Sequence, residues 1–300
     1  MFRNEEKIWR KVTYGFMRVI KKIDGFEKII EDINIMVRSM IEVNNISIND
    51  IKSIGCGVPG FINKKGQASC VNLGWKEVDF IDTLQAKFPE VKVFADNDAT
   101  VAALAEAKAG SMKGCNTGVM YTLGTGVGGG IIINGKVFNG AHNMASELGH
   151  VIIDSNYFDC NCGNNGCLET FCSATAIIKY ATKLIEEGRE SKILELAGND
   201  IKNINAKNVF DAYREKDEVA IETIDRFKLY LAKAIAGMIN TLDPEVISLG
   251  GGVSRAKDII LDGLEDMIRN YVAYKNEEIT KVVIATLGAD AGIVGAAFLS

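Results

Sequence analysis

Between Asp24 and Val43 apolar residues fall at Phe26, Ile29, Ile30, Ile33, Met36, Met40 and Ile41, a spacing that winds one apolar stripe along a helix. Asp24 reads as its N-cap, with Glu27 completing a capping box. The stretch IKSIGCGVPG is a short β-rich run ending in Gly57, Pro59 and Gly60, followed by a polar turn from Asn63 to Gly66. In VKVFADNDATVAALAEAKAG a buried strand runs to Ala95, a polar break follows, and an alanine-rich helix ends at Gly110. From Thr117, TGVMYTLGTGVGGGIIINGKVF predicts two apolar strands around a glycine-rich bend, with Asn134-Gly135 as a two-residue hairpin turn. Beyond a cysteine cluster the pattern is mostly helical, including a long helix from about Glu218 to Leu242. PEVISLGGGVS then supplies a strand entering a glycine loop, and KVVIATLGADAGIVGAAFLS a strand, a glycine turn and a small-residue helix.

A chain of 300 residues is long enough for two lobes with a cleft between them. A net charge of -5 offers no basic field for the phosphates of nucleic acid, so no nucleic-acid partner is expected. No run reaches the roughly 20 apolar residues of a membrane helix, and the start MFRNEEKIWRK is charged where a signal peptide is apolar. No membrane partner and a cytoplasmic location are therefore expected. There, seven cysteines argue for metal rather than for a disulfide scaffold. Cys56, Cys70 and Cys115 stand alone in apolar or turn contexts and receive no role.

Two glycine loops follow strands, LGTGVGGG (Leu123 to Gly130) and LGGGVS (Leu249 to Ser254), and glycines let backbone N–H groups approach a phosphate. The first leads into a strand where a dinucleotide fold needs a helix, which excludes a nicotinamide enzyme. Asp96, Asn97 and Asp98 sit where a strand stops and a helix starts; Asp98 either caps the helix or projects into a ligand site. Glu147, His150 and Glu169 add carboxylates and an imidazole of the kind that hold hydroxyl-rich ligands such as sugars. His150, Cys160, Cys162 and Cys167 have the composition of a closed tetrahedral zinc site, with free thiols or a redox pair as the alternatives. Cys172 is a fifth candidate inside the next helix, and His142 is a loop residue.

The stretches GCGVPG (55–60), NLGW (72–75), DNDATVAALAE (96–106), LGTGVGGGIIING (123–135), ELGH (147–150), CNCGNNGCLE (160–169) and LGGGVS (249–254) together resemble the ROK family of repressors, open reading frames and kinases, and within it bacterial glucokinases. The resemblance implies an α/β, actin-like ATPase fold (hexokinase-like, ribonuclease H-like) with mixed sheets: a smaller lobe over 1–115, completed by a closing helix over 289–300, and a larger lobe over 116–288. It implies phosphorylation of a hexose by ATP with Mg2+, and NLGW favours glucose over mannose or an N-acetylhexosamine. Asp98 corresponds to the family's catalytic base. Gly60, Asn72, Asn97, Glu147, His150 and Glu169 correspond to its sugar-binding residues, Gly124, Thr125 and Gly126 to the phosphate loop, and Gly250, Gly251 and Gly252 to the adenosine loop. His150 would serve twice, one ring nitrogen on structural Zn2+ and the other toward sugar. A homodimer is the family's common assembly.

Two departures are expected to be tolerated: Asp96 where the family writes Glu, and Ser146 where it writes Gly. Family kinases also open with an Asp-x-Gly-Gly-Thr phosphate loop, for which this sequence has no counterpart, so one strand and one phosphate loop are expected to be missing. On that reading the alternative to a kinase is a sugar-binding protein without turnover.

Overall fold

The computed structural model describes residues 25–299. Asp24 and the opening segment, where the absent phosphate loop was anticipated, lie outside them. The first amphipathic segment forms α1 (Phe26–Val43), burying Ile29, Ile30, Ile33 and Val37. Its N-cap is Gly25, at φ 66°, and among the described residues no side chain caps the helix. The chain enters the helix through Gly25, and the capping box expected from Asp24 and Glu27 falls on Asp24, outside the described residues.

A parallel pair, β1 (Ser53–Val58) and β5 (Lys92–Asn97), lies beside an antiparallel sheet of β2 (Phe61–Ile62), β3 (Ala68–Cys70) and β4 (Trp75–Val78). Helix α2 (Phe80–Lys87) connects the two, and Trp75, Phe80, Leu84 and Phe88 form their shared core with α1. The rings of Phe26 and Trp75 meet nearly perpendicular with their centroids 5.3 Å apart, packing α1 on this core.

Helix α3 (Asp98–Ala109) follows β5 directly and is buried from Ala99 through Glu106. A helix apolar on every side belongs between other elements. One face meets β7 (Val127–Ile133), where a Cβ on Gly130 would stand 2.3 Å from that of Ala103. The other face meets the last helix, α11 (Ala291–Ala296), which also packs on β1.

A five-stranded sheet runs in the order β10-β9-β6-β7-β8. Its strands β6 (Thr117–Leu123), β9 (Val246–Gly250) and β10 (Lys281–Ile284) are parallel, β7 pairs antiparallel with β6, and β8 (Lys136–Val137) pairs antiparallel with β7. Asn134 at φ 53° and Gly135 at φ 68° make the anticipated tight turn between β7 and β8. The helices α4 (Glu169–Cys172), α5 (Ala174–Glu186), α6 (Lys192–Leu196), α7 (Ala206–Arg214) and α8 (Glu218–Leu242) precede β9, and α9 (Lys257–Ile260) and α10 (Leu264–Arg269) follow it. Phe227, Leu231 and Ile235 of α8 pack with Val119, Tyr121, Leu123, Ile247 and Leu249 of the sheet in a second core. Among the described residues no helix is long and apolar enough to cross a membrane.

The docking of α11 depends on backbone contact. A Cβ on Gly295 would lie 1.8 Å from the Val101 carbonyl oxygen, whereas one on Gly292 meets nothing within 4 Å. Gly295→Ala is expected to lower unfolding free energy by about 2–3 kcal/mol, and Gly292→Ala in the same helix to raise it by about 0.5–1 kcal/mol. Denaturant unfolding of both variants checks the pair.

Candidate functional site

The break between β5 and α3 resolves the ambiguity of three polar residues in a row. Asn97 is the cap: its side-chain oxygen accepts the N–H groups of Ala99 at 2.9 Å and Thr100 at 3.2 Å. Its amide donates to the Gly60 carbonyl at 3.1 Å, joining the ends of the paired strands β1 and β5. Asp98 is thereby freed from capping, keeps a solvent-open face, and has Oδ1 on the Ala99 N–H at 2.8 Å. Loss of surrounding water raises its carboxyl above the usual aspartate range, against the opposing pull of the Ala99 and Asp98 backbone N–H groups. Cys70, given no role from sequence, lies close enough for the Asp98 charge to add to the burial that lifts its thiol to about 11. Asn72 sits exposed on the short turn Val71–Leu73, and among the described residues no hydrogen bond ties its side chain to Asn97 or Asp98.

Across from this end, the pairing of Thr122 with Gly250 sets the two glycine loops side by side at the ends of parallel strands β6 and β9. Gly251 is at φ 85°, and a Cβ there would stand 2.4 Å from the Leu123 carbonyl oxygen, so the second loop lies directly on the root of the first. The first loop is held from below: Ala174 N–H donates to the Gly124 carbonyl at 2.8 Å and Thr175 Oγ1 to the Thr125 carbonyl at 2.7 Å. Glu147 precedes and His150 ends a 3₁₀ turn, Leu148–His150, that rests on β7. The fit is close, since a Cβ on Gly149 would lie 1.9 Å from the Val127 carbonyl oxygen.

The ligand atoms of His150, Cys160, Cys162 and Cys167 all lie within 4.8 Å of one another. Cys162 Sγ and Cys167 Sγ are 3.6 Å apart, and Cys160 Sγ is 3.7 Å from His150 Nδ1. A disulfide would need roughly 2 Å between sulfurs. Tetrahedral zinc with Zn–S bonds of ~2.3 Å separates its sulfurs by about 3.8 Å, so the donor set fits the ion in identity, number and spacing. Burial raises the Cys160 and Cys167 thiols, and a cation is the partner that would hold them as thiolates. Cys172 is no part of this group; it is buried in α4 with its thiol on the Phe227 carbonyl at 3.6 Å. His142 is exposed in a loop, as expected.

Glu169 joins the cysteine loop to the first glycine loop. Its Oε2 accepts the Val127 N–H at 2.9 Å, and a Cβ on Gly126 would stand 2.2 Å from that oxygen. Three positioning residues escaped the sequence reading. Asn139 donates to Asp96 Oδ2 at 2.8 Å, linking the segment after β8 to the end of β5. Asn156 donates to the carbonyl and hydroxyl of Thr170 at 2.8 and 2.7 Å, and its oxygen accepts from Arg226 at 2.7 Å. Arg226 is itself held over the rings of Tyr180 and Phe171, at 4.4 and 4.6 Å. No local pattern marks a partner 70 residues away.

The sequence model of the ROK family matches residues 21–300. A glucokinase of Halalkalibacterium halodurans is 38% identical over 282 residues, covering 93% of this chain and 84% of that protein. A glucokinase of Thermotoga maritima is 36% identical over 294 residues, covering 97% and 89%. Among solved structures, a ROK family glucokinase from Streptomyces griseus in complex with glucose and AMPPNP superposes with a TM-score of 0.78 at 28% identity, covering 94% of this chain and 92% of that one.

Ser146, one of the two departures from the family pattern, adopts φ 71°, a left-handed conformation that favours glycine. Its hydroxyl donates to the Phe138 carbonyl at 3.1 Å. Ser146→Gly is expected to stay within about 1 kcal/mol of the parent, because relieved strain offsets the lost bond, whereas Ser146→Val should cost roughly 1–3 kcal/mol. Thermal unfolding of the two variants separates these outcomes.

Proposed function

Because the chain belongs to the ROK family and is an ATP-dependent sugar kinase, we propose that it phosphorylates glucose, with Asp98 as the general base. The carrying observation is Asp98 itself: Asn97 has taken the capping role, and the Asp98 carboxylate stands at the end of β5 with its pKa raised. In the reaction the glucose 6-hydroxyl oxygen bonds to the γ-phosphorus of ATP, the bond from that phosphorus to the ADP oxygen breaks, and the hydroxyl proton passes to the Asp98 carboxylate. A raised pKa suits this step, since it makes the carboxylate a stronger base than an ordinary aspartate.

Gly60, Asn72, Asn97, Glu147, His150 and Glu169 bind the sugar. The glycine backbones of Gly124 to Gly126 hold the transferred phosphate, and those of Gly250 to Gly252 the adenosine side. Mg2+ on the triphosphate would neutralise charge as it shifts to ADP. Two relatives named glucokinase at 36% and 38% identity support glucose over other hexoses. A cytoplasmic, glycolytic role and a homodimer accord with this reading.

Zinc on His150, Cys160, Cys162 and Cys167 is structural in this proposal, because four protein ligands leave no open position for substrate. Coordination through one ring nitrogen of His150 leaves the other for the sugar, so the metal sets the shape of the pocket without entering the chemistry.

Asp98→Asn is expected to lower kcat by about 10²–10⁴-fold while calorimetry still detects glucose binding. Retention of kcat within about tenfold, or a folded parent protein that binds glucose without phosphorylating it, would defeat the assignment. The base must be ionised and its pKa is raised, so the acid limb of kcat/KM should fall at a higher pH than the ~3.9 of an unperturbed aspartate. Elemental analysis should find about one zinc per chain. Removing it with a chelator should lower both thermal stability and glucose affinity, and a stable metal-free protein with full affinity would contradict the structural role.

A further inference from the structure

The three thiols that fit a zinc ion are not equally protected. Cys160 and Cys167 are 5% and 0% exposed, whereas Cys162 is open to solvent. Elsewhere in the chain Cys56, Cys70 and Cys172 are buried and Cys115 is half-buried, so Cys162 is the most accessible sulfur among the described cysteines. An oxidant arriving from solvent meets this thiol first.

The backbone around the sulfurs differs in the same sense. Cys167 is bridged to Ile152, and its neighbours are tied down on both sides: Ile153 N–H donates to the Gly166 carbonyl and Leu168 N–H to the Val151 carbonyl, each at 2.9 Å. Cys162 instead sits in a turn, Asn161 to Asn164, that is exposed throughout. The turn is closed by Gly163 N–H on the Cys160 carbonyl at 2.9 Å, and a Cβ on Gly163 would meet nothing within 4 Å. The Cys162 and Cys167 sulfurs are 3.6 Å apart, and a disulfide needs roughly 2 Å, so an approach of about 1.5 Å joins them. The open turn has room for that approach, and the bridged segment gives it a fixed target.

We propose that Cys162 is an oxidation site through which hydrogen peroxide opens the metal centre: Cys162 and Cys167 join as a disulfide, zinc leaves, and the sugar pocket loses the support of His150. The release of metal rests on the structural-zinc reading and the loss of sugar affinity on the double role of His150; the disulfide rests on the placement of the sulfurs. The Cys162 thiolate attacks one peroxide oxygen, the O–O bond breaks, hydroxide leaves, and the sulfur becomes a sulfenic acid. The Cys167 thiolate then attacks that sulfur, the S–O bond breaks, a second hydroxide leaves, and the S–S bond forms. Two thiolates have given two electrons to one peroxide. His150 and Cys160 remain, half of the four ligands a structural zinc site requires.

The zinc-loaded full chain, treated with a small molar excess of hydrogen peroxide in the presence of a chromogenic chelator, tests the idea. Expected are release of the bound zinc, a disulfide placed between Cys162 and Cys167 by tandem mass spectrometry of the unreduced peptides, and weaker glucose binding by calorimetry. A thiol reductant with fresh zinc should restore both metal and affinity. Retention of zinc with the thiols still reduced, or a disulfide that omits Cys162, overturns the proposal. Cys162→Asp supplies an oxygen ligand in place of the attacking sulfur and is expected to keep its zinc under the same treatment; release as fast as from the parent overturns the site. Should that variant fail to fold or to bind zinc, a sulfenic-acid trap on the parent decides: first labelling at Cys162 supports the proposal, and first labelling at Cys160 or Cys167 overturns it. Zinc release with unchanged glucose affinity defeats the double role of His150 and leaves the oxidation site standing. A chain that takes up no zinc defeats the metal reading, and the disulfide then stands or falls by its mapping alone.

Discussion

The backbone-level approach of α3 to its neighbours is the constraint on which the other features depend. Ala103 reaches a strand that has no side chain at Gly130, and the Val101 carbonyl reaches a helix that has none at Gly295. Contacts this close need a helix of small residues, which is why α3 is alanine-rich and shows no polar stripe. They also decide where its ends stand. One end places Asp98 beside the strand ends that carry Gly60 and Asn97, and the other places Glu106 where it accepts the N–H groups of Ser111 and Leu287.

A second constraint joins the metal-type loop to the phosphate-type loop. The carboxylate of Glu169 occupies the space a side chain at Gly126 would need and accepts the next N–H, from Val127. The glycine at 126 therefore makes room for a neighbour's carboxylate as well as for an approaching ligand. Through Thr170, Asn156 and Arg226 the same segment is tied to α8, so the cysteine loop is braced by side chains in addition to its four donors. The resemblance casts Glu169 as a sugar ligand, and its bond to Val127 gives it a supporting role alongside that proposal.

The periodic elements were legible in the chain because their signals are local. Alternating strands, the long helix Glu218–Leu242 and the Asn134-Gly135 turn each follow from residues a few positions apart. At the start of α1, Gly25 takes the cap position by a positive φ that composition does not reveal. Asp98 was ambiguous for a related reason: two adjacent residues could both cap, and only the placement of the Asn97 side chain removes one of them.

Local pattern supplies the inventory: three thiols and an imidazole in one short stretch, two glycine loops after strands, a carboxylate at a strand end, and the order of elements that carries them. The pairings come from packing between distant segments. Glu169 finds Val127 across 42 residues, Asn139 finds Asp96 across 43, and Glu106 finds Thr286 across 180. Such bonds form because burial leaves each polar group no water to turn to. Which donor it meets instead depends on how the sheets stack, and that stacking has no counterpart in any local stretch of the chain.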